Sequence, residues 1–211
     1  KKYNSGRPNM ERLSVVAKEL VSIVKASDTT RPVTAAVAYP ELSTRIGYID
    51  DLDVVGYNYL LWRLDKDFVR FPDRLIAMTE SYPMDAVAAR RAMDKYPRFI
   101  GEFVWTGWDY FGETGIGHTG ESNMPAWGLT SLPEHTANCG DFDICGFRTP
   151  QSYYRDAAWI DGSVRILAGD PADHGKEYGI SAWGFWRVER NWNYSGIGSQ
   201  TTVHVYTMAD E

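Results

Sequence analysis

Four short apolar runs alternate with helix-forming segments in the first half of the chain, and this alternation constrains the fold more than any other feature. The apolar runs lie at 32–37, 52–59, 74–79 and 97–105. Helical patterns lie at 13–24, in part of 60–73 and at 84–95. Strands that are apolar throughout are typical of parallel sheets buried on both faces by helices. We therefore predict an α/β fold, and four such units would make half of an eight-stranded barrel.

The second half of the chain has a different character. A loop rich in Gly, Ser, Asn and Pro runs from 111 to about 143, and a weak helical pattern follows at 149–159. Strand-like runs then lie at 164–167, 180–188 and 201–207. Turns rich in Gly and Asn separate these runs, which is typical of a β-sandwich. We predict one domain over 1–160 and the beginning of a sandwich domain, with too few strands to close two sheets, over 161–211.

Composition excludes several classes of protein. The chain has 211 residues, of which 44% are hydrophobic, so it has enough apolar material for a core and is not disordered. Its formal charge is −6 and its basic residues are scattered, which argues against a nucleic-acid partner. No apolar run approaches the roughly 18 residues needed to span a membrane, so we predict a soluble protein with no membrane partner.

Thiol and metal chemistry find little support. Cys139 and Cys145 are too few for a disulfide framework, and two free thiols are favoured over one small disulfide loop. The four histidines lie far apart in the sequence and show no metal-binding spacing. Their positions are His118, His135, His174 and His204. No metal site is predicted.

Polar and aromatic side chains follow the predicted strands, where parallel α/β folds build their sites. Asn58 and Tyr59 end the second run, Glu80 ends the third, and Trp105 ends the fourth. Glu80 is the best candidate for a catalytic carboxylate, and the alternative is an acid at a helix entry. Asn58 and Tyr59 offer an amide and a phenol that could hydrogen-bond a carboxylate or hydroxyls.

The residues around the fourth run allow two interpretations each. Trp105 and Trp108 suit either stacking on a sugar ring or core packing. Glu102 lies inside the run, on the face opposite Trp105, and a structural pairing with an Arg is favoured over catalysis. Asp109 and Glu113 suit either substrate contact or a loop hydrogen bond.

Three motifs together resemble glycoside hydrolase family two, the β-galactosidase group. They are Asp53-Val-Val-Gly-Tyr-Asn-Tyr59, Thr79-Glu-Ser81 and Gly101-Glu-Phe-Val-Trp-Thr-Gly-Trp-Asp-Tyr-Phe-Gly-Glu113, and their order and spacing agree with that group. Residues 143–147 with 150–154, and residues 191–193 with 203–206, look like the end of the family's barrel and the start of its next sandwich domain. The resemblance implies the second half of a TIM (β/α)8 barrel, followed by an incomplete all-β sandwich segment.

The resemblance also implies an activity. The family retains configuration when it cleaves a terminal β-linked sugar, using two carboxylates about 5–5.5 Å apart and a covalent glycosyl-enzyme intermediate. Glu80 matches the nucleophile, Tyr59 matches the tyrosine that hydrogen-bonds it, and Trp105 matches the aromatic wall of the sugar subsite. Asn58, Trp108 and Asp109 are implied as further substrate contacts. The partner is a β-linked oligosaccharide or glycoside and no cofactor is required, although some relatives bind cations through ligands that would lie upstream.

One departure from the family pattern concerns the acid/base glutamate, which follows an asparagine at the end of the fourth barrel strand. No Asn-Glu pair occurs in this sequence. We expect the chain to begin just after that residue, to need the remainder of its own polypeptide, and to be inactive alone. Homo-oligomerisation stays open, as does the compartment, which could be the bacterial cytoplasm, the periplasm or the exterior.

The substrate and the class of function retain alternatives. A β-galactoside is favoured over a β-glucuronide because Asn138-Cys139-Gly140 lacks the lysine of the glucuronidases' Asn-x-Lys pair. A β-mannosidase is another related alternative. The rival from a different class is a noncatalytic carbohydrate-binding or interaction fragment.

Overall fold

A four-stranded parallel sheet forms the centre of the first half of the chain. The computed structural model describes residues 10–121, 134–194 and 198–209. Its first four strands are β1 (Thr34–Val37), β2 (Val54–Asn58), β3 (Ile76–Ser81) and β4 (Phe99–Val104). They pair side by side in chain order, and every pairing is parallel. Strands β1, β2 and β4 lie within predicted apolar runs, and β3 extends two residues beyond the run predicted at 74–79. The α/β fold with a parallel sheet is thereby confirmed.

Five α-helices accompany the strands within the residues that the structure describes. They are α1 (Glu11–Ser27), α2 (Pro40–Arg45), α3 (Leu64–Arg70), α4 (Ala86–Lys95) and α5 (Pro150–Trp159). Helix α2 falls where the sequence predicts only a polar connection, so that prediction is wrong there. Its six residues are too few to show a period, and its clearest sequence signal is Pro40 in the first turn. None of the helices in the described residues is long and apolar enough to cross a membrane.

The core of the sheet follows from strand composition. Ile76, Ala77 and Met78 are consecutive residues of β3 and all three are buried, as expected for a central parallel strand covered on both faces. Tyr57 and Phe99 from the flanking strands join the same cluster. This packing fixes the ends of β2, β3 and β4 relative to one another.

Several apolar side chains at the margins of the sheet are exposed. Helix α1 has the predicted amphipathic pattern, yet Val21 is its one buried residue and Leu20 is 57% exposed. An ion pair of 2.8 Å between Lys25 and Asp53 attaches the helix to the rest of the chain. On β4, Phe103 is 68% exposed.

The described part of the second half of the chain contains two small antiparallel sheets. Strand β5 (Thr119–Glu121) pairs with β7 (Tyr178–Ile180), and β6 (Val164–Gly169) lies between β8 (Val188–Glu189) and β9 (Val203–Thr207). Strand β5 lies within the predicted loop at 111–143, so the loop prediction is wrong at that point. The part of that loop at 122–133 lies outside the described residues.

The predicted strand at 180–188 is also wrong over most of its length. Backbone hydrogen bonds of a turn join Ser181 and Gly184, and regular strand resumes only at Val188. Trp183 and Phe185 pack in two different apolar clusters. The apolar run therefore reflects aromatic residues that serve two cores, rather than the alternation of one strand.

Candidate active site

Three neighbouring strands bring the predicted site residues to one edge of the sheet. Asn58 is paired with Glu80 in the register of β2 and β3. The backbone N–H of Tyr59 donates to the Glu80 carbonyl at 2.8 Å, and the N–H of Trp105 donates to the Ser81 carbonyl at 3.0 Å. The structure therefore brings Asn58, Tyr59, Glu80 and Trp105 together at the carboxyl ends of the strands.

A local backbone irregularity sets the direction of Tyr59. Simple alternation would place Tyr57 and Tyr59 on the same face of the sheet. The hydroxyl of Tyr57 instead donates to Asp67 of α3 at 2.8 Å, on the helix side. A register shift between Tyr57 and Asn58, and a φ of 57° at Tyr59, separate the two tyrosines. A non-glycine residue with left-handed backbone often marks a functional position.

The hydroxyl of Tyr59 has two polar neighbours. It accepts a hydrogen bond of 3.0 Å from the indole N–H of Trp183, and it lies close enough to the carboxylate of Glu80 for that charge to act on the phenol. Burial raises the pKa of the Tyr59 phenol, the Trp183 hydrogen bond lowers it, and the charge of Glu80 raises it further. Tyr59 therefore keeps its proton at neutral pH and is able to donate it in a hydrogen bond to the half-buried Glu80.

Aromatic rings pack around this pair in what we call the edge cluster, which comprises Tyr59, Tyr82, Trp105, Tyr110 and Trp183. The rings of Tyr59 and Tyr82 lie 4.4 Å apart, and Trp183 meets each of them edge-on at 5.4 Å. The indole N–H of Trp105 donates to the Tyr110 hydroxyl at 3.1 Å. A carboxylate beside such rings is suited to a sugar, whose hydroxyls need polar partners and whose C–H faces stack on aromatic surfaces.

Asn58 has a defined orientation at the same edge. The Thr79 hydroxyl donates to its side-chain oxygen at 2.7 Å. In this arrangement the N–H₂ group is the end of the amide that is available to donate.

Trp108 and Asp109 are not members of the edge cluster. Trp108 stacks on Phe142 at 5.7 Å and is 58% exposed. The buried carboxylate of Asp109 accepts backbone N–H bonds from Asn138 and Cys139, each 3.2 Å long. Asp109 also lines a polar cavity of about 1010 Å³, and its two hydrogen bonds hold the following loop.

Behind the edge lies a network that we call the buried charge network, formed by Ser81, Glu102, Asp141 and Arg155. The hydroxyl of Ser81 donates to Glu102 at 2.5 Å, and Arg155 pairs with Glu102 and, at 2.5 Å, with Asp141. The predicted pairing of Glu102 with an Arg is therefore confirmed. Burial raises the pKa of Asp141, and the charge of Arg155 lowers it. The network holds the residue next to Glu80.

Loop residues account for the remaining candidates. Glu113 accepts a hydrogen bond from the Tyr110 hydroxyl, which is the loop contact that the sequence left as one alternative. Cys139 is a buried free thiol beside Trp183, whereas Cys145 is exposed. Burial raises the pKa of Cys139 to about 12. In the part of the chain that the structure describes, no cluster of three or more His, Cys, Asp or Glu side chains could hold a metal ion.

Trp183 and Arg155 are site residues that the sequence analysis missed. Trp183 lies 124 positions after Tyr59, in a segment predicted to belong to the sandwich. Arg155 lies in a helix with only a weak pattern. The one available signal was the unusual Trp and Tyr content, 8 and 13 residues, which indicates a wet aromatic cleft without identifying its members.

A carboxylate with a tyrosine donor and an aromatic wall, at the carboxyl edge of a parallel sheet, is typical of the class of glycoside hydrolases. Comparison with known proteins agrees with this class. No protein-family model matches the chain. Beta-galactosidase BoGH2A from Bacteroides ovatus is 26% identical, in a match that covers 73% of this chain and 22% of that protein.

Solved structures extend the comparison. A glycosyl hydrolase family 2 member from Bacteroides cellulosilyticus is 35% identical with a TM-score of 0.76, over 94% of this chain and 26% of that one. Bacteroides uniformis β-glucuronidase is 16% identical with a TM-score of 0.57, over 79% and 22%, which is a likeness of fold alone. These matches confirm the predicted resemblance to glycoside hydrolase family two over most of the chain. The chain spans about a quarter of the length of these relatives.

Proposed function

We propose that the chain supplies the nucleophile half of a retaining β-glycosidase, with Glu80 as the nucleophile. The observation that carries this proposal is the position of the Tyr59 phenol beside Glu80 at the end of the central strand β3, where the two residues are joined by a backbone hydrogen bond and the Glu80 charge acts on the phenol. A neutral phenol that donates to a carboxylate fixes one of its oxygens and leaves the other for attack. The irregular backbone at Tyr59 supports the same interpretation, since it aims the phenol at this carboxylate.

The proposed fold is half of a TIM barrel over 1–160, with β1 to β4 as its last four strands, and the beginning of a sandwich over 161–211. The exposed apolar side chains on β4 and α1 support this proposal, because neighbouring barrel units would cover them. The three-stranded sheet of β6, β8 and β9 is consistent with the start of a sandwich.

The proposed reaction has two steps. A carboxylate oxygen of Glu80 attacks the anomeric carbon, the bond from that carbon to the leaving oxygen breaks, and a second carboxyl group gives its proton to the leaving oxygen. In the second step that carboxylate takes a proton from water, whose oxygen displaces Glu80 from the anomeric carbon. Because this chain has no Asn-Glu pair, the second carboxyl group belongs to another part of the polypeptide, and the isolated chain is inactive on ordinary glycosides.

The proposed substrate is a terminal β-linked neutral sugar, most simply a β-galactoside. Trp105 supplies a wall for the ring, and the N–H₂ group of Asn58 donates to a hydroxyl. Trp108 and Asp109 would contact more distant parts of a substrate. Two positions after Asn138, where the glucuronidases' Asn-x-Lys pair has its lysine, this chain has Gly140. The missing lysine disfavours a glucuronide, whose carboxylate it would bind. The chemistry requires no cofactor.

The test is Glu80→Gln in a polypeptide that joins this chain to an upstream segment carrying an Asn-Glu pair. Hydrolysis of a nitrophenyl β-galactoside should fall by about 10³-fold or more, because an amide cannot form the glycosyl ester. Binding of galactose should persist, since the amide keeps the shape of the side chain. The matched control is Glu19→Gln on the exposed face of α1, which should leave the rate unchanged. Unchanged hydrolysis in Glu80→Gln would overturn the assignment and favour a noncatalytic binding fragment.

A further inference from the structure

Trp183 reaches the site from outside the proposed barrel segment. It lies between β7 and β8, and its indole N–H donates to the Tyr59 hydroxyl oxygen at 3.0 Å. The side chain is buried, with 7% exposure, and packs against Ala137 and Cys139. It is therefore part of the wall behind the tyrosine that contacts Glu80.

The hydrogen bond from Trp183 affects the direction in which the Tyr59 hydroxyl proton points. A tyrosine hydroxyl carries one proton and accepts through its oxygen lone pairs. The indole N–H can only donate, so its bond occupies the acceptor side of Tyr59 and turns the O–H proton towards another acceptor. The carboxylate of Glu80, which lies close enough to raise the pKa of the Tyr59 phenol, is available as that acceptor. In this arrangement Trp183 donates to Tyr59, and Tyr59 can in turn donate to Glu80.

The segment that carries Trp183 is tightly held. The Ser181 N–H donates to the His118 carbonyl at 3.0 Å, and the Gly184 N–H donates to the Ser181 carbonyl at 3.0 Å. A Cβ atom at Gly184 would lie 2.7 Å from the His118 carbonyl oxygen, so only glycine fits there. The turn therefore fixes the indole at the edge cluster.

We propose that Trp183 is a positioning residue for the glycosidase reaction, which orients the Tyr59 hydroxyl so that its proton bonds Glu80. The inference rests on the proposed function. It makes the region after α5 necessary for a complete nucleophile site, although that region is predicted to begin a separate domain. Removal of the indole N–H, with an aromatic ring kept at position 183, leaves the Tyr59 hydroxyl free to rotate about its C–O bond. This lowers the reactivity of Glu80.

The experiment measures covalent labelling by a 2-deoxy-2-fluoro-β-galactosyl fluoride in the joined polypeptide. Fluoride leaves without a proton from the acid, so the labelling rate reports on the nucleophile and its neighbours. Trp183→Phe should lower that rate by about tenfold, as expected for the loss of one oriented hydrogen bond. Trp183→His keeps an N–H donor and should recover part of the rate.

A double-mutant cycle distinguishes positioning from packing. If Trp183 acts through Tyr59, adding Trp183→Phe to Tyr59→Phe should cause no further loss of rate. The control is Trp186→Phe, since Trp186 lies in the same segment but packs with Tyr154 and Tyr206. It should leave the labelling rate unchanged. Melting temperatures of all variants would show whether loss of fold accounts for a loss of rate.

Two outcomes overturn the inference. One is a labelling rate that Trp183→Phe leaves unchanged, and the other is a cycle in which the effects of the two substitutions multiply. Labelling of Glu80→Gln at the normal rate would instead overturn the proposed function, so the two failures are distinguishable.

Discussion

Ser81 donates a hydrogen bond of 2.5 Å to Glu102, and this contact joins the strand that carries Glu80 to the neighbouring strand. Ser81 follows Glu80 in the chain, so the two side chains point to opposite faces of β3. The face that carries Glu80 belongs to the candidate site, while the face that carries Ser81 meets the buried charge network. Strand β3 therefore carries both the candidate catalytic residue, Glu80, and the residue that anchors the strand to the buried charge network, Ser81.

The first prediction concerns the buried charge network. Glu102→Gln removes the charge that balances Arg155 and should lower the free energy of unfolding by about 3 kcal/mol, because breaking a buried pair leaves an uncompensated charge. Urea unfolding of the chain measures the change. Glu19→Gln, the same substitution at an exposed position, should cost less than about 0.5 kcal/mol. Equal stability of the two variants would show that the network does not support the strand.

The second prediction concerns pH. Burial raises the pKa of Asp85, so its contribution to folding is most favourable when it is neutral, below pH 3.8, and is lost as pH rises through the raised value. Asp85→Asn removes the destabilisation that ionisation of Asp85 causes, and it keeps an oxygen that can accept from the Tyr82 N–H. The stability of the variant relative to wild type should therefore increase from pH 4 to pH 7. Urea unfolding at both pH values measures it, with the exposed Asp73→Asn as control, and a difference that shrinks with rising pH would be evidence against the prediction.

The third prediction compares two tryptophans. Trp105 belongs to the edge cluster, whereas Trp108 stacks on Phe142 and is not a member of that cluster. In the joined polypeptide, Trp105→Ala should reduce kcat/KM for a β-galactoside by about tenfold, because a stacked aromatic contact contributes about 0.5–1.5 kcal/mol and each 1.36 kcal/mol is a factor of ten. Trp108→Ala should change it by less than about threefold. The reverse order of effects would place the sugar beside Trp108 instead.

The fourth prediction tests the turn that holds Trp183. Gly184→Ala would place a methyl group 2.7 Å from the His118 carbonyl oxygen and should destabilise the chain by about 2 kcal/mol. Gly107→Ala is the control, because no atom lies within 4 Å of a Cβ at that position. Thermal melting of both variants measures the difference, and a normal melting temperature for Gly184→Ala would mean that the turn can move.

The fifth prediction uses the two thiols. Cys145 is exposed, whereas Cys139 is buried with a pKa raised to about 12. A disulfide reagent at pH 8 should therefore modify one thiol rapidly, and the second only after denaturation, because the thiolate is the reactive form. Rapid modification of both thiols in the folded chain would show that the loop around Cys139 opens.

The parallel sheet and its carboxyl edge could be predicted because they depend on local signals. Continuous apolar runs specify buried strands, and polar residues at their ends specify the edge, so Asn58, Tyr59, Glu80 and Trp105 are brought together as the pattern indicates. The pairing of Glu102 with an arginine could also be predicted, since a carboxylate inside a strand needs a partner.

The remaining features depend on contacts that no local pattern records. Helix α2 is shorter than two turns, so hydrophobic periodicity cannot reveal it. The aromatic run at 180–188 resembles a strand, although its rings serve two different cores. The contact of Trp183 with Tyr59 joins residues 124 positions apart. Such a contact exists only after the chain has folded back across the edge of the sheet.

The most direct test of the account is to identify the residue that becomes covalently bound to sugar. The joined polypeptide would be treated with a 2-deoxy-2-fluoro-β-galactosyl fluoride, digested, and mapped by mass spectrometry. We predict one fluorosugar on the peptide that contains Glu80, with fragmentation placing it on that residue. An adduct on another carboxylate would contradict the assignment of Glu80 as the nucleophile.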